Sequence, residues 1–157
     1  MPDNNDVQLQ PTKAVRLIFE YEGEVVRLIS QQPVEMAVAD SDISGLDPSA
    51  HYIDTRDATG KTLARVKARG AFSTSAEVFP ERAGEPITRV DIPTPKGAFT
   101  VVLPIADNAD HFTLVKVAPS AQAPGARDLR APQPVATDMA DFPLAARIQP
   151  GNDGGVR

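Results

Sequence analysis

The sequence predicts an all-β protein, built as a single antiparallel β-sandwich of about nine short strands with disordered termini. Two observations support this prediction. Between residues 13 and 118, apolar and polar residues alternate in short runs, and most runs end at glycine, proline or aspartate. Apolar spacing of three and four, which an amphipathic helix needs over ten or more residues, does not occur in that region. A chain of 157 residues accommodates one such domain rather than two.

The first two strands are predicted to form a hairpin. Every second residue of Val15–Tyr21 is apolar, and the apolar phase resumes in Val25–Ser30. Gly23, between the two runs, can adopt the positive φ that a tight turn requires.

Further runs with the same alternation predict the remaining strands. They are Val34–Val38, His51–Arg56, Lys61–Ala68, Ala76–Phe79, Ile87–Ile92, Ala98–Ile105 and His111–Val117. The segment Asp57–Gly60 suits a compact hairpin turn, because it opens with aspartate and closes with glycine. Two sheets packed face to face would bury the large apolar residues that these strands point inward. The predicted core comprises Leu17, Phe19, Val26, Leu28, Met36, Val66, Val90, Phe99, Val101, Leu103, Phe112 and Leu114.

Both ends of the chain read differently from the domain at residues 13–118. Residues 1–12 are polar and acidic, and residues 119–157 are rich in proline, alanine and glycine without sustained periodicity. Such composition is typical of extended or disordered segments.

An apolar island interrupts the C-terminal tail at residues 138–148. It contains four large apolar side chains: Met139, Phe142, Leu144 and Ile148. A segment of this kind either folds back onto its own domain or docks on another protein as a short helix or an added strand. We favour a partner-binding peptide. In that case, deleting residues 138–157 would leave the domain folded.

Composition excludes several functional classes. The net charge of −5 disfavours binding to nucleic acid or to an anionic membrane. The lack of cysteine removes thiolate nucleophiles, iron–sulfur clusters and cysteine-type zinc sites. No secretory signal or membrane-spanning run is visible, so we expect a cytoplasmic protein. No cofactor is expected.

The Asp-rich segment at residues 40–47 partly matches a calcium loop. Its candidate ligands are Asp40, Asp42, Ser44 and Asp47. Carboxylates at alternate positions converge on a hard cation when a glycine such as Gly45 permits a sharp turn. However, His51 occupies the position where the bidentate glutamate is needed. The incomplete match favours a solvated loop between strands.

A basic stripe lies on one face of a single predicted strand. Arg65, Lys67 and Arg69 could receive a phosphate or another anion. The stripe lacks interleaved aromatic residues, and basic side chains are common on the solvent face of a strand. The solvent-face interpretation is therefore preferred.

Catalytic motifs are lacking. The two histidines, His51 and His111, are accompanied by Asp110 and by serines, but there is no nucleophile elbow. Adjacent strand residues such as Asp110 and His111 point to opposite faces, which does not suit a triad. We therefore expect a protein that is not an enzyme.

Three segments resemble the β-sandwich domain that precedes the catalytic domain of M64-type metallopeptidases. They are "RDATGKTLAR", "AFSTSAEVF" and "PKGAFTVVLPIADNADHF". The resemblance covers about the second half of the core and implies an accessory, immunoglobulin-like domain. Metallopeptidase chemistry does not follow, because the chain has no H-E-x-x-H motif. The pattern is also similar to that of small uncharacterised bacterial β-sandwich proteins.

Two functional hypotheses follow from the sequence. The first is a non-enzymatic interaction or accessory module that binds another protein or itself. The alternative is a ligand-binding sandwich, calcium-assisted or directed at carbohydrate, that uses the Asp-rich loop. A hydrolase with an unrecognised site remains a third alternative.

Overall fold

The computed structural model describes residues 12–38, 45–118 and 134–145. Within these ranges the all-β prediction is confirmed, since nine strands and no helix are present. The strands are β1 (Thr12–Glu22), β2 (Val25–Met36), β3 (His51–Arg56), β4 (Thr62–Lys67), β5 (Ser75–Val78), β6 (Thr88–Asp91), β7 (Lys96–Pro104), β8 (His111–Ala118) and β9 (Val135–Pro143). In the described part of the chain, nothing helical has the length and apolarity to cross a membrane.

Seven of the strands form two antiparallel sheets that enclose the core. One sheet has the order β2-β1-β7 and the other has the order β4-β3-β8-β9. Within the described ranges, strands β5 and β6 pair only with each other, as a separate two-stranded ribbon. The main hydrophobic cluster combines inward side chains of both larger sheets, which makes the domain a β-sandwich.

The core follows from the alternation of β1 and β7. Phe19 lies opposite Phe99 on β7, and their rings stack with centroids 5.0 Å apart. Leu17 and Phe19 are fully buried, whereas their neighbour Glu20 is exposed. Because each fully buried large apolar side chain contributes about 1.5–3 kcal/mol, the inward rows of the two sheets supply the main driving force for folding.

The first hairpin forms as predicted. β1 pairs with β2, and Gly23 takes a φ of 59° in the turn between them. The separate strand predicted at Val34–Val38 is wrong, because β2 continues through Pro33 to Met36. β2 is an edge strand, where a residue without an N–H group is tolerated. Two predicted core residues are also wrong: Met36 is 41% exposed and Val90 is 49% exposed.

The ninth strand comes from the segment assigned to the tail. β9 pairs with β8 along its whole length, so the predicted domain boundary at residue 118 does not hold for Val135–Pro143. The register shifts between Leu114 and Val115, where Met139 is the extra residue of a β-bulge. Predictions for residues 1–11, 119–133 and 146–157 lie outside the described residues.

Candidate functional site

The predicted partner-binding residues lie in the domain's own core. Met139 and Phe142 pack against the main cluster, and Leu144 is 5% exposed within it. The Phe142 ring meets Phe19 edge-on, with centroids 5.2 Å apart. The preference for docking on a partner is therefore wrong for these three side chains, since they are occupied in cis. Ile148 lies outside the described residues.

Polar contacts also fix β9 in place. Arg56 of β3 donates two hydrogen bonds to Asp138, at 2.6 and 2.8 Å, and Thr113 donates one to Asp141 at 2.7 Å. The hydrogen bonds from Arg56 lower the pKa of Asp138 below its ordinary value. The Gln31 side chain reaches from β2, donating to the carbonyl of Pro143 and accepting from the N–H of Ala145. This amide joins the edges of the two sheets in the way a backbone amide would.

The basic stripe does not form a common anion site. Arg65 donates to both carboxylate oxygens of the buried Asp54, at 2.6 and 2.7 Å. Lys67 pairs with Asp47 at 2.6 Å, and Arg69 is exposed. Two of the three cations are therefore committed to carboxylates of the same chain.

The proposed calcium ligands are only partly within the described residues. Asp40, Asp42 and Ser44 lie outside them. The hydrogen bond from Lys67 lowers the pKa of Asp47, which is consistent with an ion pair in place of a cation. The described residues contain no group of three or more acidic or histidine side chains arranged to hold a metal ion.

The ribbon of β5 and β6, with the connection between them, projects from the sandwich as an arm, residues 75–91. Four large apolar side chains of this arm are about half exposed or more. They are Val78 (48%), Phe79 (69%), Ile87 (54%) and Val90 (49%). All residues from 81 to 91 are exposed. The sequence analysis assigned the residues of β5 and β6 to the sandwich. The prolines at 80, 86 and 93 limit each of these strands to four residues, and they were the available signal of a separate ribbon.

The arm differs from two edge strands of the sandwich, β2 and β9, in how its edges are protected. β2 carries Pro33 and contacts β9 through Gln31, and β9 ends at Pro143. Proline and side-chain cover are common ways to block an edge from pairing with another chain. Neither four-residue strand of the arm contains proline, so both outer edges of the ribbon keep their backbone donors and acceptors.

A second feature is a pocket at one end of the sandwich, called here the end pocket, with a volume of about 410 Å³. Among the residues that line it are Ser49, His51, Phe72, Lys116 and Met139. Its volume falls within the range of small-molecule sites. In the described part of the chain, Ser49 (φ 66°) and Phe72 (φ 59°) are the two non-glycine residues with positive φ, and both line this pocket.

The imidazole of His51 lies in the end pocket. The His51 ring stacks on Phe72 with centroids 4.1 Å apart. Burial lowers the pKa of His51, and the Lys116 ammonium lowers it further, while Glu24 opposes them. The Lys116 and Glu24 side chains are 3.6 Å apart. The pocket thus places a histidine with a lowered pKa beside a cation.

Two features of the described residues stand out, the exposed apolar cluster of the arm and the cavity of the end pocket. Asp110 contacts the His111 ring at 2.8 Å, so the expectation that the two side chains point apart is wrong, because Asp110 precedes β8 and does not lie in it. His51 lies in the end pocket with Phe72, so the two histidines have separate surroundings. Comparison with known proteins adds no assignment, since no family model, curated protein or solved structure matches this chain.

Proposed function

We propose that this protein is a non-enzymatic protein–protein interaction or accessory module, and that the arm is its contact surface. The observation that supports this proposal is the exposure of Val78, Phe79, Ile87 and Val90 on one small ribbon. Single exposed apolar residues are ordinary, whereas a cluster on a projecting element is typical of an interaction site.

The backbone of the arm supports the same proposal. Among the described residues, no third strand lies beside β5 and β6, so each presents N–H and C=O groups along its outer edge that no strand of this part of the chain pairs with. An extended segment of a partner can add to such an edge through main-chain hydrogen bonds, with side chains providing selectivity. The sandwich serves as the rigid base that holds the arm away from its own core.

Site-specific cross-linking tests this function. A photoreactive phenylalanine analogue placed at position 79, in protein expressed in cells, is expected to give covalent protein adducts. The matched control is the same group at Ile29, which is 53% exposed on β2. The position-79 adducts should disappear when Val78 and Ile87 are both changed to aspartate. Equal adduct yields at 79 and 29, or none at 79, would contradict the proposal.

A ligand-binding sandwich is the second candidate function, and the end pocket rather than the Asp-rich loop favours it. Left-handed backbone at a non-glycine residue costs about 1–3 kcal/mol, and such residues often cluster at binding sites. Pro93, Pro95 and Met139 supply apolar surface, and Lys116 supplies a cation for an anionic group.

Titration with benzoate tests the end pocket by proton NMR. The ring signals of His51 are expected to shift at millimolar benzoate, because the benzoate ring lies against the apolar wall beside His51 and its carboxylate approaches Lys116. The chain has 2 histidines, so His111 is an internal control on the same spectrum. Shifts at both histidines, or at neither, would count against a site in this pocket.

A further inference from the structure

We propose that the arm binds a second copy of this chain, by antiparallel pairing of the two β6 strands about a two-fold axis at Val90. This inference rests on the proposed function, because it names the partner of the same surface. It follows from the hydrogen-bonding phase of the ribbon and from the charges along its two free edges.

The phase of the ribbon shows which groups of β6 point outward. The N–H of Ile92 donates to the carbonyl of Thr74 at 2.7 Å. Hydrogen-bonded and non-hydrogen-bonded pairs alternate in an antiparallel ladder. In the observed register, Val90 therefore bonds inward to Ala76, while Arg89 and Asp91 direct their backbone N–H and C=O groups to the free edge.

An axis at Val90 makes this edge self-complementary. Arg89 of one copy then lies opposite Asp91 of the other, and the reverse pair forms across the axis. Both pairs are of the hydrogen-bonded kind, so the two residues of each pair exchange two backbone hydrogen bonds. Each pair also places the opposite charges of its arginine and aspartate side chains next to each other on one face of the sheet. The two Val90 side chains meet at the axis, where the pair is of the closer, non-hydrogen-bonded kind.

Other two-fold registers of β6 are unfavourable. An axis at Arg89 would set two arginines directly opposite each other, and an axis at Asp91 would do the same with two aspartates. Like charges at directly opposed positions destabilise a sheet. The sequence of this strand thus selects one register.

The outer edge of β5 lacks this complementarity. Its outward residues are Ser75 and Glu77. An axis at Ala76 pairs serine with glutamate, and an axis at Glu77 pairs two glutamates. No register of β5 against itself joins opposite charges, so the inference assigns self-pairing to β6 alone.

The experiment is sedimentation velocity of the full chain over a wide concentration range. A four-residue ladder is a small interface, so we expect a reversible dimer with a dissociation constant in the range of roughly micromolar to millimolar. The changes Arg89→Asp and Asp91→Arg should each weaken the dimer at least about tenfold, because each creates like-charge pairs across the axis. The double change, which exchanges the two charges, should restore association when Glu77, which lies opposite residue 89 in the ribbon, is also changed to glutamine.

Proline substitutions test the edge without disturbing the ribbon. Asp91→Pro removes an outward N–H of β6 and is expected to abolish the dimer. Glu77→Pro removes an outward N–H of β5 and should leave it intact. Because both residues belong to the same non-hydrogen-bonded class within the ribbon, both variants should retain the circular dichroism of the parent chain. The charge variant Asp91→Arg likewise keeps a cross-strand contact of the ribbon, because the 3.0 Å hydrogen bond from Arg89 to Ser75 does not involve residue 91.

The outcomes separate this inference from the function on which it rests. A chain that stays monomeric at all concentrations, or a charge exchange that does not restore the dimer, overturns self-pairing. If position 79 still gives arm-dependent adducts with a different protein, only the identity of the partner is wrong. If position 79 gives none, the proposed function fails as well.

Discussion

Replacing Asp54 by alanine is expected to lower the free energy of unfolding by about 3–5 kcal/mol. The Asp54 side chain is fully buried, at 0% exposure, on the outer face of the β4-β3-β8-β9 sheet. It accepts two hydrogen bonds from Arg65, one from the Thr62 hydroxyl at 3.1 Å and one from Arg56 at 3.2 Å. Without it, the guanidinium groups of two largely buried arginine side chains, 10% and 15% exposed, lose a carboxylate partner.

Urea denaturation at pH 7 measures this loss, and Asp138→Ala is the matched control. Asp138 pairs with the same Arg56, but its side chain is 54% exposed. Exposed ion pairs contribute about 0–1 kcal/mol. Because its pKa is lowered in the folded state, the contribution of Asp138 is present above the ordinary carboxyl pKa and is lost as the pH falls through the lowered value. The contribution of Asp138 is therefore complete at pH 7. Equal losses of unfolding free energy in the Asp54 and Asp138 variants would contradict the role assigned to the burial of Asp54.

The parts of the fold that depend on neighbours in sequence are predictable. Asp57 accepts hydrogen bonds from the N–H and hydroxyl of Thr59 and from the N–H of Lys61, and Gly60 takes a φ of 87°. These contacts explain why aspartate and glycine at those positions predict the β3–β4 turn. The β1–β2 hairpin is predictable for the same reason.

The bulge in β9 explains why that strand escaped prediction. Asp138 lies opposite Val115, and Asp141 lies opposite Thr113. Val115 and Thr113 are two residues apart and share one face of β8, whereas the two aspartates are three residues apart. Met139 occupies the additional position, so the sequence loses the period of two that marks a strand. The packing of β9 against the core depends on its pairing with β8, and the sequence of the tail by itself does not show that pairing.

The arm illustrates a different limit of sequence reasoning. Val78 and Val90 lie in strands with ordinary β composition, and this composition led to their assignment to the sandwich. Alternation identifies which residues share a face, but it does not identify what covers that face. The ion pairs of Asp54 likewise connect two strands, and they become visible only when β3 and β4 are placed side by side.

Ending the chain at Pro134 is expected to abolish cooperative folding. The shortened chain loses the entire ladder of β9 on β8, the edge contact of Phe142 with Phe19, and the Arg56–Asp138 pair. It also loses Leu144, which fills the core and donates its N–H to the carbonyl of Asp110 at 3.2 Å. Domains of this size are stable by about 5–15 kcal/mol, and these losses together approach that margin.

Thermal unfolding followed by circular dichroism distinguishes this cis role from partner docking. Leu144→Ala should cost about 2–5 kcal/mol because the site is buried. Val135→Ala, at the start of β9 and 52% exposed, should change stability by less than about 0.5 kcal/mol. A synthetic peptide of residues 135–145 should restore cooperative unfolding to the shortened chain, because the contacts of β9 do not require a covalent link. A shortened chain that unfolds with an unchanged midpoint would show that the sandwich is complete without β9, and the apolar island would then again be a candidate for binding a partner.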